Sequence, residues 1–384
     1  MLCPHGLPGG ATAPAPPAGP PLPPRRPAPP SLGAPGTARD PFPLYRALRE
    51  GFPLVYDEPV GAWLVSRYAD VRAALADPRL AAPRAGVPPR AQGARALLHS
   101  ALHDEAFTTG IERVAHVLTS RLARRREADL VAEFCHWLPV AAAVVVLGLP
   151  REDTRRVRER CEPPPDRHGE SGLLRPGGAP WEALLRPYVG RRRTHPRADL
   201  LSVLCTARVD GRPLPDETVT ALAGDLLDAA VRTGHALASC LANLLDHPGQ
   251  LELIRARPEL LRGAWAESLR RDPPLHVVPL RAAEPVGVIP AGATVACLPG
   301  AAGRDPARFA DPDRYDAFRA DAGELPYDLS GDAGPGARLA RRTAERGLGA
   351  LLEALPRLRW APGFRPAAAG LLNRSPRTLL VRID

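Results

Sequence analysis

The apolar positions of this chain fall mostly at helical spacing, with short alternating runs near its two ends. DPFPLYRALRE (40–50) predicts a short helix with proline near its start. LVYDEP (54–59) and AWLVSR (62–67) predict a hairpin around the turn at Val60-Gly61, and YADVRAALAD (68–77) a helix after it. A further helix is expected from about Arg113 to Arg126. ADLVAEFCHWLPVAAAVVVLGLP (128–150) is the most apolar segment and reads as one buried helix closed by Gly148 and Pro150. Residues 161–180 break all periodicity and read as a long loop, with helix returning over 182–194. LPDETVTALAGDLLDAAVRTGHALASCLANLLDHP (214–248) predicts one very long helix, opened by Pro-Asp-Glu and stopped at His-Pro, that crosses a whole domain. Two helices separated near Pro258 fill 248–275, and short strands follow around Ile289 and at Thr294–Leu298. A glycine-rich turn, a helix over 336–354 and a terminal strand region close the chain. The fold class predicted is mainly α with a small β component, in a single large domain over 39–384.

Composition changes the picture at the N-terminus and in the charge. Residues 1–38 are rich in Pro, Gly and Ala and cannot bury a core, so they are expected to be a disordered tail. The net charge is +9, carried by arginine alone because the chain contains no lysine. That pattern reads as the codon bias of a GC-rich bacterial genome. With aromatics at 5% and no basic run interleaved with them, nucleic acid is not expected as a partner, and the arginines read as solvated faces. The six cysteines are scattered without a CxxC pair, so neither zinc nor a disulfide framework is expected. No apolar run is long enough for a membrane span, and no signal-like start is present. A cytoplasmic, soluble protein without membrane contact is the expectation.

The helix AWAESLRRDPPL places Glu267 and Arg270 three apart on one face. Alone, that pair is a surface salt bridge. In order along the chain stand the long helix, E-x-x-R-x-x-P-P, IPAG (289–292), GRDPARFADPDRYDAFR (303–319), the glycine turn and an L-A-R helix. This order resembles the cytochrome P450 family of the bacterial soluble type, from about Asp40 to the C-terminus. The resemblance implies the P450 fold. It also implies a buried structural cluster of Glu267, Arg270 and Arg319, in which bidentate guanidinium–carboxylate pairing acts as a rigid staple.

The family's turn has the form F-G-x-G-x-H-x-C-x-G-x-x-L-A-R, and its cysteine thiolate ligates haem iron. Aligned on Gly336 and Leu339-Ala340-Arg341, this chain has Tyr327, Asp328, Ser330 and Asp332 at the Phe, Gly, Gly and His positions. The ligand position is Gly334, which has no side chain to offer. Counted back from His247-Pro248, the family's oxygen-side relay falls on Asp228 to Arg232, with Val231 for the acid and Arg232 for the threonine. Ala96 and Ser100 stand where the family usually grips a propionate, while Arg281 matches a family arginine that reaches one. Asp225, Asp228, Arg232 and His235 recur on one face of the long helix and are expected to close the old pocket, with Asp228 and Arg232 paired. The turn is no P-loop either, because Ala337 and Arg338 occupy the Lys and Ser/Thr positions. His99 and His103 are an i,i+4 pair that could bind a metal, but they read as a solvated helix face. No catalytic residue, cofactor or metal site is expected.

P450 relatives without the haem cysteine serve as helpers of glycosyltransferases that attach deoxysugars to macrolide or aromatic polyketide antibiotics. The resemblance therefore implies a catalytically inactive activator, not an enzyme, in a hetero-oligomer with such a transferase. Two alternatives stand beside it. One is a P450-fold recruitment module for tailoring enzymes, normally set inside a larger chain. The other is a P450-like enzyme with non-cysteine haem or none.

Overall fold

The computed structural model describes residues 29–81, 90–161, 181–322 and 334–384. The expected tail up to residue 28, the expected loop over 162–180 and the glycine turn over 323–333, with Tyr327, Asp328, Ser330 and Asp332, lie outside the described residues.

Helix α1 (Phe42–Gly51) leads into strands β1 (Leu54–Asp57) and β2 (Ala62–Val65), which pair antiparallel. The chain is anchored upstream of the boundary expected at residue 38. Leu32 is buried, its backbone N–H donates to Asp57 Oδ2 at 2.7 Å, and the Arg374 guanidinium donates to the carbonyls of Ala38 and Arg39. After α2 (Tyr68–Ala76), β3 (Leu80–Ala81) joins the edge of a five-stranded sheet of order β1-β2-β8-β7-β3, completed by β7 (Val278–Ala282) and β8 (Thr294–Cys297). Around Ile289 there is only an isolated bridge to Val286, whereas β7 was not foreseen. PLHVVPLR alternates too poorly for its pairing with β8 to be read locally.

Helices α3 (Arg90–Ala101) and α4 (Glu105–Leu122) follow. The second starts well before Arg113 because the Asp104 side chain caps it, accepting from the Ala106 N–H at 2.9 Å. The segment 128–150 is not one helix. Its first residues form β4 (Glu127–Asp129), a π turn spans Val131–Cys135, and α5 is confined to Trp137–Val146. Pairing of β4 with the terminal strand β12 (Leu380–Arg382) overrides the apolar pattern there. Next come α6 (Asp153–Cys161), α7 (Glu182–Thr194), α8 (Leu200–Thr206) and a small hairpin of β5 (Arg208–Val209) with β6 (Arg212–Pro213).

The long helix α9 runs from Asp216 to Asp246. Asp216 and Glu217 in its first turn complement the helix dipole. Its N-terminal half packs in one apolar cluster with α5, α7 and α8, its C-terminal half in another with α11 (Leu261–Arg271) and α13 (Pro335–Ala354). It is therefore the axis of the core. Gly224 makes room for a neighbour, since a Cβ there would lie 2.8 Å from the Trp181 ring. Helix α10 (Pro248–Ala256) and α12 (Pro299–Ala302) are short, and β9 (Arg359–Trp360), β10 (Ala368–Ala369) and β11 (Ser375–Pro376) complete the chain. The fold is mainly α with a small β component.

Candidate functional site

Gly334 stands at the N-terminus of α13, in extended backbone with φ 164°. No described atom lies within 4 Å of a Cβ built there. Backbone strain does not require glycine at this position, and packing among the described residues does not either. Two residues on the opposite holds: a Cβ at Gly336 would stand 3.0 Å from the Ala229 Cβ, so the first turn of α13 meets α9 directly. The ligand position and the expected relay stretch thus lie on neighbouring helices. Just after that stretch, the Thr233 hydroxyl donates to the Ala229 carbonyl of its own helix at 2.7 Å.

The charged stripe of α9 is arranged differently from the expectation. Asp225 pairs with Arg95 of α3 at 3.1 Å, and Asp228 accepts from Trp181 Nε1 at 2.8 Å. His235 Nδ1 lies 2.8 Å from Ser375 Oγ. No ion pair joins Asp228 to Arg232 among the described residues, and the buried Arg232 Nε has no hydrogen-bond partner. Groups on packed neighbouring elements reach the carboxylates first, and a local i,i+4 preference of a few tenths of a kcal/mol does not compete.

Helix α13 carries arginines at 338, 342 and 346, one turn apart, along the face toward α3 and α4. Arg338 is 8% exposed; its Nε donates to His99 Nε2 at 2.9 Å and its Nη1 lies 2.5 Å from His103 Nε2. Arg342 Nη1 donates to Thr108 Oγ1 at 2.6 Å, and Arg346 pairs with Glu112 at 3.3 Å. Since arginine only donates, both imidazoles present a bare Nε2, and His103 Nδ1 faces the Ser100 carbonyl at 3.3 Å. His99, half-buried, and His103, exposed, therefore bracket α3 to α13 while keeping the solvent contact expected of them. The signal in the sequence was the match between i,i+4 histidines and arginines at i, i+4 and i+8.

Glu267 and Arg270 on α11 are wholly buried. Arg270 Nε and Nη2 donate to the two Glu267 oxygens at 2.6 and 2.8 Å. Arg270 also donates to the carbonyls of Gly303, Pro312 and Arg314, and Arg319 Nε stands 3.3 Å from Glu267 Oε2. The Asp316 N–H donates to Glu267 Oε1 at 3.0 Å. The cluster ties α11 to the 303–319 segment.

Among the described residues the free cysteines are Cys135, Cys205, Cys240 and Cys297, all buried in apolar clusters. Burial pushes the Cys205 thiol up to about 11 and those of Cys240 and Cys297 to about 12, so they are protonated at neutral pH. Arg281 is exposed on β7. Among the described residues, the donors at and around the ligand position do not fit a thiolate-held haem: Gly334 offers nothing, and the His99 and His103 Nε2 lone pairs are taken by Arg338. Among the described residues no group of three or more His, Cys, Asp or Glu is placed to hold a metal ion, and no helix is long and apolar enough to cross a membrane.

One buried group gives the fold a pH dependence. His276 sits against Tyr45, whose hydroxyl lies 3.2 Å from Nδ1; burial, with Arg374 and Arg304 adding to it, pushes the imidazole down to about 3. Unfolded, the ring takes a proton near pH 6.5. Between those values the unfolded chain binds the extra proton, so stability is complete above about pH 6.5 and is lost as pH falls toward 3. Urea unfolding is expected to lose about 1.4 kcal/mol per pH unit from this residue below pH 6. His276→Gln should reduce the measured slope by about that amount, leaving the share of His235, which burial also pushes down to about 3, and an unchanged slope would refute the assignment.

No family model matches the chain. It is 33% identical over 348 residues to cytochrome P450 107B1 of Saccharopolyspora erythraea, covering 78% of this chain and 83% of that one. To the cytochrome P450 monooxygenase PikC of Streptomyces venezuelae it is 33% identical over 367 residues, covering 85% and 87%. Its structure superposes on a mutant of P450 EryK in complex with erythromycin B with a TM-score of 0.75 at 25% identity, covering 88% and 95%. These findings overturn the expectation that the chain is not an enzyme, for PikC is by name a monooxygenase and the kinship points to an enzyme. The order of E-x-x-R, Arg319 and the L-A-R helix, the fold around α9 and these identities converge: the chain belongs to the cytochrome P450 family.

Proposed function

We propose that this P450 works in the making of a polyketide natural product, in the cytoplasm, as the partner of a glycosyltransferase that attaches a deoxysugar. One observation carries the reading: the scaffold keeps its Glu267–Arg270–Arg319 cluster while Gly334 presents iron with no donor, though nothing in the backbone requires glycine there. The fold-holding cluster is present in this chain and a side chain at the ligand position is not. The neighbour crystallised with erythromycin B supports the natural-product setting. The partner role is compatible with chemistry of the chain's own, toward which its relatives point. A protein that binds only the folded form of a labile transferase stabilises it by mass action, by about 2.7 kcal/mol at a hundredfold excess over Kd. Co-expressed with a deoxysugar-attaching glycosyltransferase from its own gene cluster, the chain is expected to co-elute with it and to raise its melting temperature and activity. Separate elution together with an unchanged melting temperature would end the proposal.

A further inference from the structure

A cavity of about 150 Å³ lies between the C-terminal half of α9, the end of α11 and the β10–β11 hairpin. Its polar wall is formed by Ser239, Asn243, Arg271, Asp272, His276 and Arg374. The one carboxylate there is fully engaged: Asp272 accepts from Arg304 at 2.7 Å and from Arg271 and Asn243 at 3.1 Å each. Arg374 has no such partner. It is 8% exposed, and its guanidinium donates at 2.8 Å to the carbonyls of Ala38 and Arg39 and at 3.3 Å to that of Gly370, all neutral oxygens. Among the described residues no carboxylate comes within 4.0 Å of it. Arg271 spends Nε on Asp313 O and Nη1 on Asn243 and Asp272, with Nη2 left over. His276 is 1% exposed and brings no negative charge. The wall therefore holds two guanidiniums against one carboxylate.

Asp272 and Asp40 act on Arg374 only from beyond 4.0 Å, and a buried cation without a direct counter-charge is costly, so its surroundings would be better balanced by an anion in contact with it. The volume equals that of about five waters at roughly 30 Å³ each, room for a small oxyanion but not for a drug-sized ligand. We infer that this cavity is a binding site for a small oxyanion, a carboxylate or a phosphate, held by Arg374 and Arg271 with the Ser239 hydroxyl as a further donor. Guanidinium suits both anions because its planar donors match their oxygens in pairs.

The test is thermal unfolding of the full chain in sodium acetate and in sodium phosphate, each against sodium chloride at matched ionic strength. A saturable rise in melting temperature beyond that of chloride is expected. A rise with acetate alone identifies a carboxylate site, and a rise with phosphate alone a phosphate site. Ser239→Leu, which fills the cavity, should weaken the apparent affinity about tenfold or more, equivalent to about 1.4 kcal/mol. Ser239→Val serves if the leucine variant does not fold. Equal shifts in all three salts, or an undiminished oxyanion effect in the folded variant, would overturn the inference.

Discussion

Glu267→Ala is expected to lower the unfolding free energy by roughly 3–5 kcal/mol, a large part of the typical total of about 5–15 kcal/mol. The loss does not come from a weak pair being removed. Among the described residues Glu267 is the only acid bonded to the fully buried Arg270, and it also receives Arg319 and the Asp316 N–H. Without it Arg270 keeps three carbonyl acceptors but no counter-charge. The 303–319 segment would lose its tie to α11 at the same time. Urea unfolding near pH 7.5 measures the effect as a drop in the transition midpoint. Glu345→Ala is the control: Glu345 pairs at 3.3 Å with an Arg262 whose side chain is 72% exposed, so its loss should cost no more than about 1 kcal/mol. Equal losses for the two variants would show that Glu267 acts as an ordinary surface acid.

What could be read from the sequence divides along the range of the interactions. The long helix over 214–248 was visible because its apolar period, its acidic start and its His-Pro stop are all local, and α9 spans Asp216–Asp246. The break within 128–150 was not, because β4 exists only by pairing with β12, some 250 residues away in sequence. The same limit applies at the site. Gly334 and the Glu267, Arg270 and Arg319 positions followed from motif order, whereas the partners of Asp228 and Asp225 come from Trp181 and Arg95 on other elements. His99 and His103 look solvent-facing on their own helix, and only the packing of α13 turns them into acceptors for Arg338. Arg374 reads as one of many surface arginines until its burial is known.

An all-or-none result is expected when the protein is expressed with haem precursor supplied: the wild-type chain purifies folded and without a stoichiometric Soret band. The expectation rests on Gly334 having no side chain and on the described free cysteines being buried, with burial pushing the thiols of Cys240 and Cys297 up to about 12. Gly334→Cys tests the position directly. The extended φ of 164° suits any residue, and no described atom obstructs a Cβ, so the variant should fold as the wild type does. A thiol there sits at the N-terminus of α13, where the helix dipole favours the thiolate. It restores a ligand and nothing else. Ala96 and Ser100 on α3 still bring no cation to a propionate, so occupancy in the single variant should stay partial. Adding Ala96→His and Ser100→Arg should raise it. The expected order of Soret absorbance per chain is wild type, then Gly334→Cys, then the triple variant. A full Soret band in the wild type would mean that another residue ligates iron and that Gly334 is not the decisive loss. A triple variant no better than the wild type would place the incompatibility in the packing of α9 against α13, where Gly336 already meets Ala229.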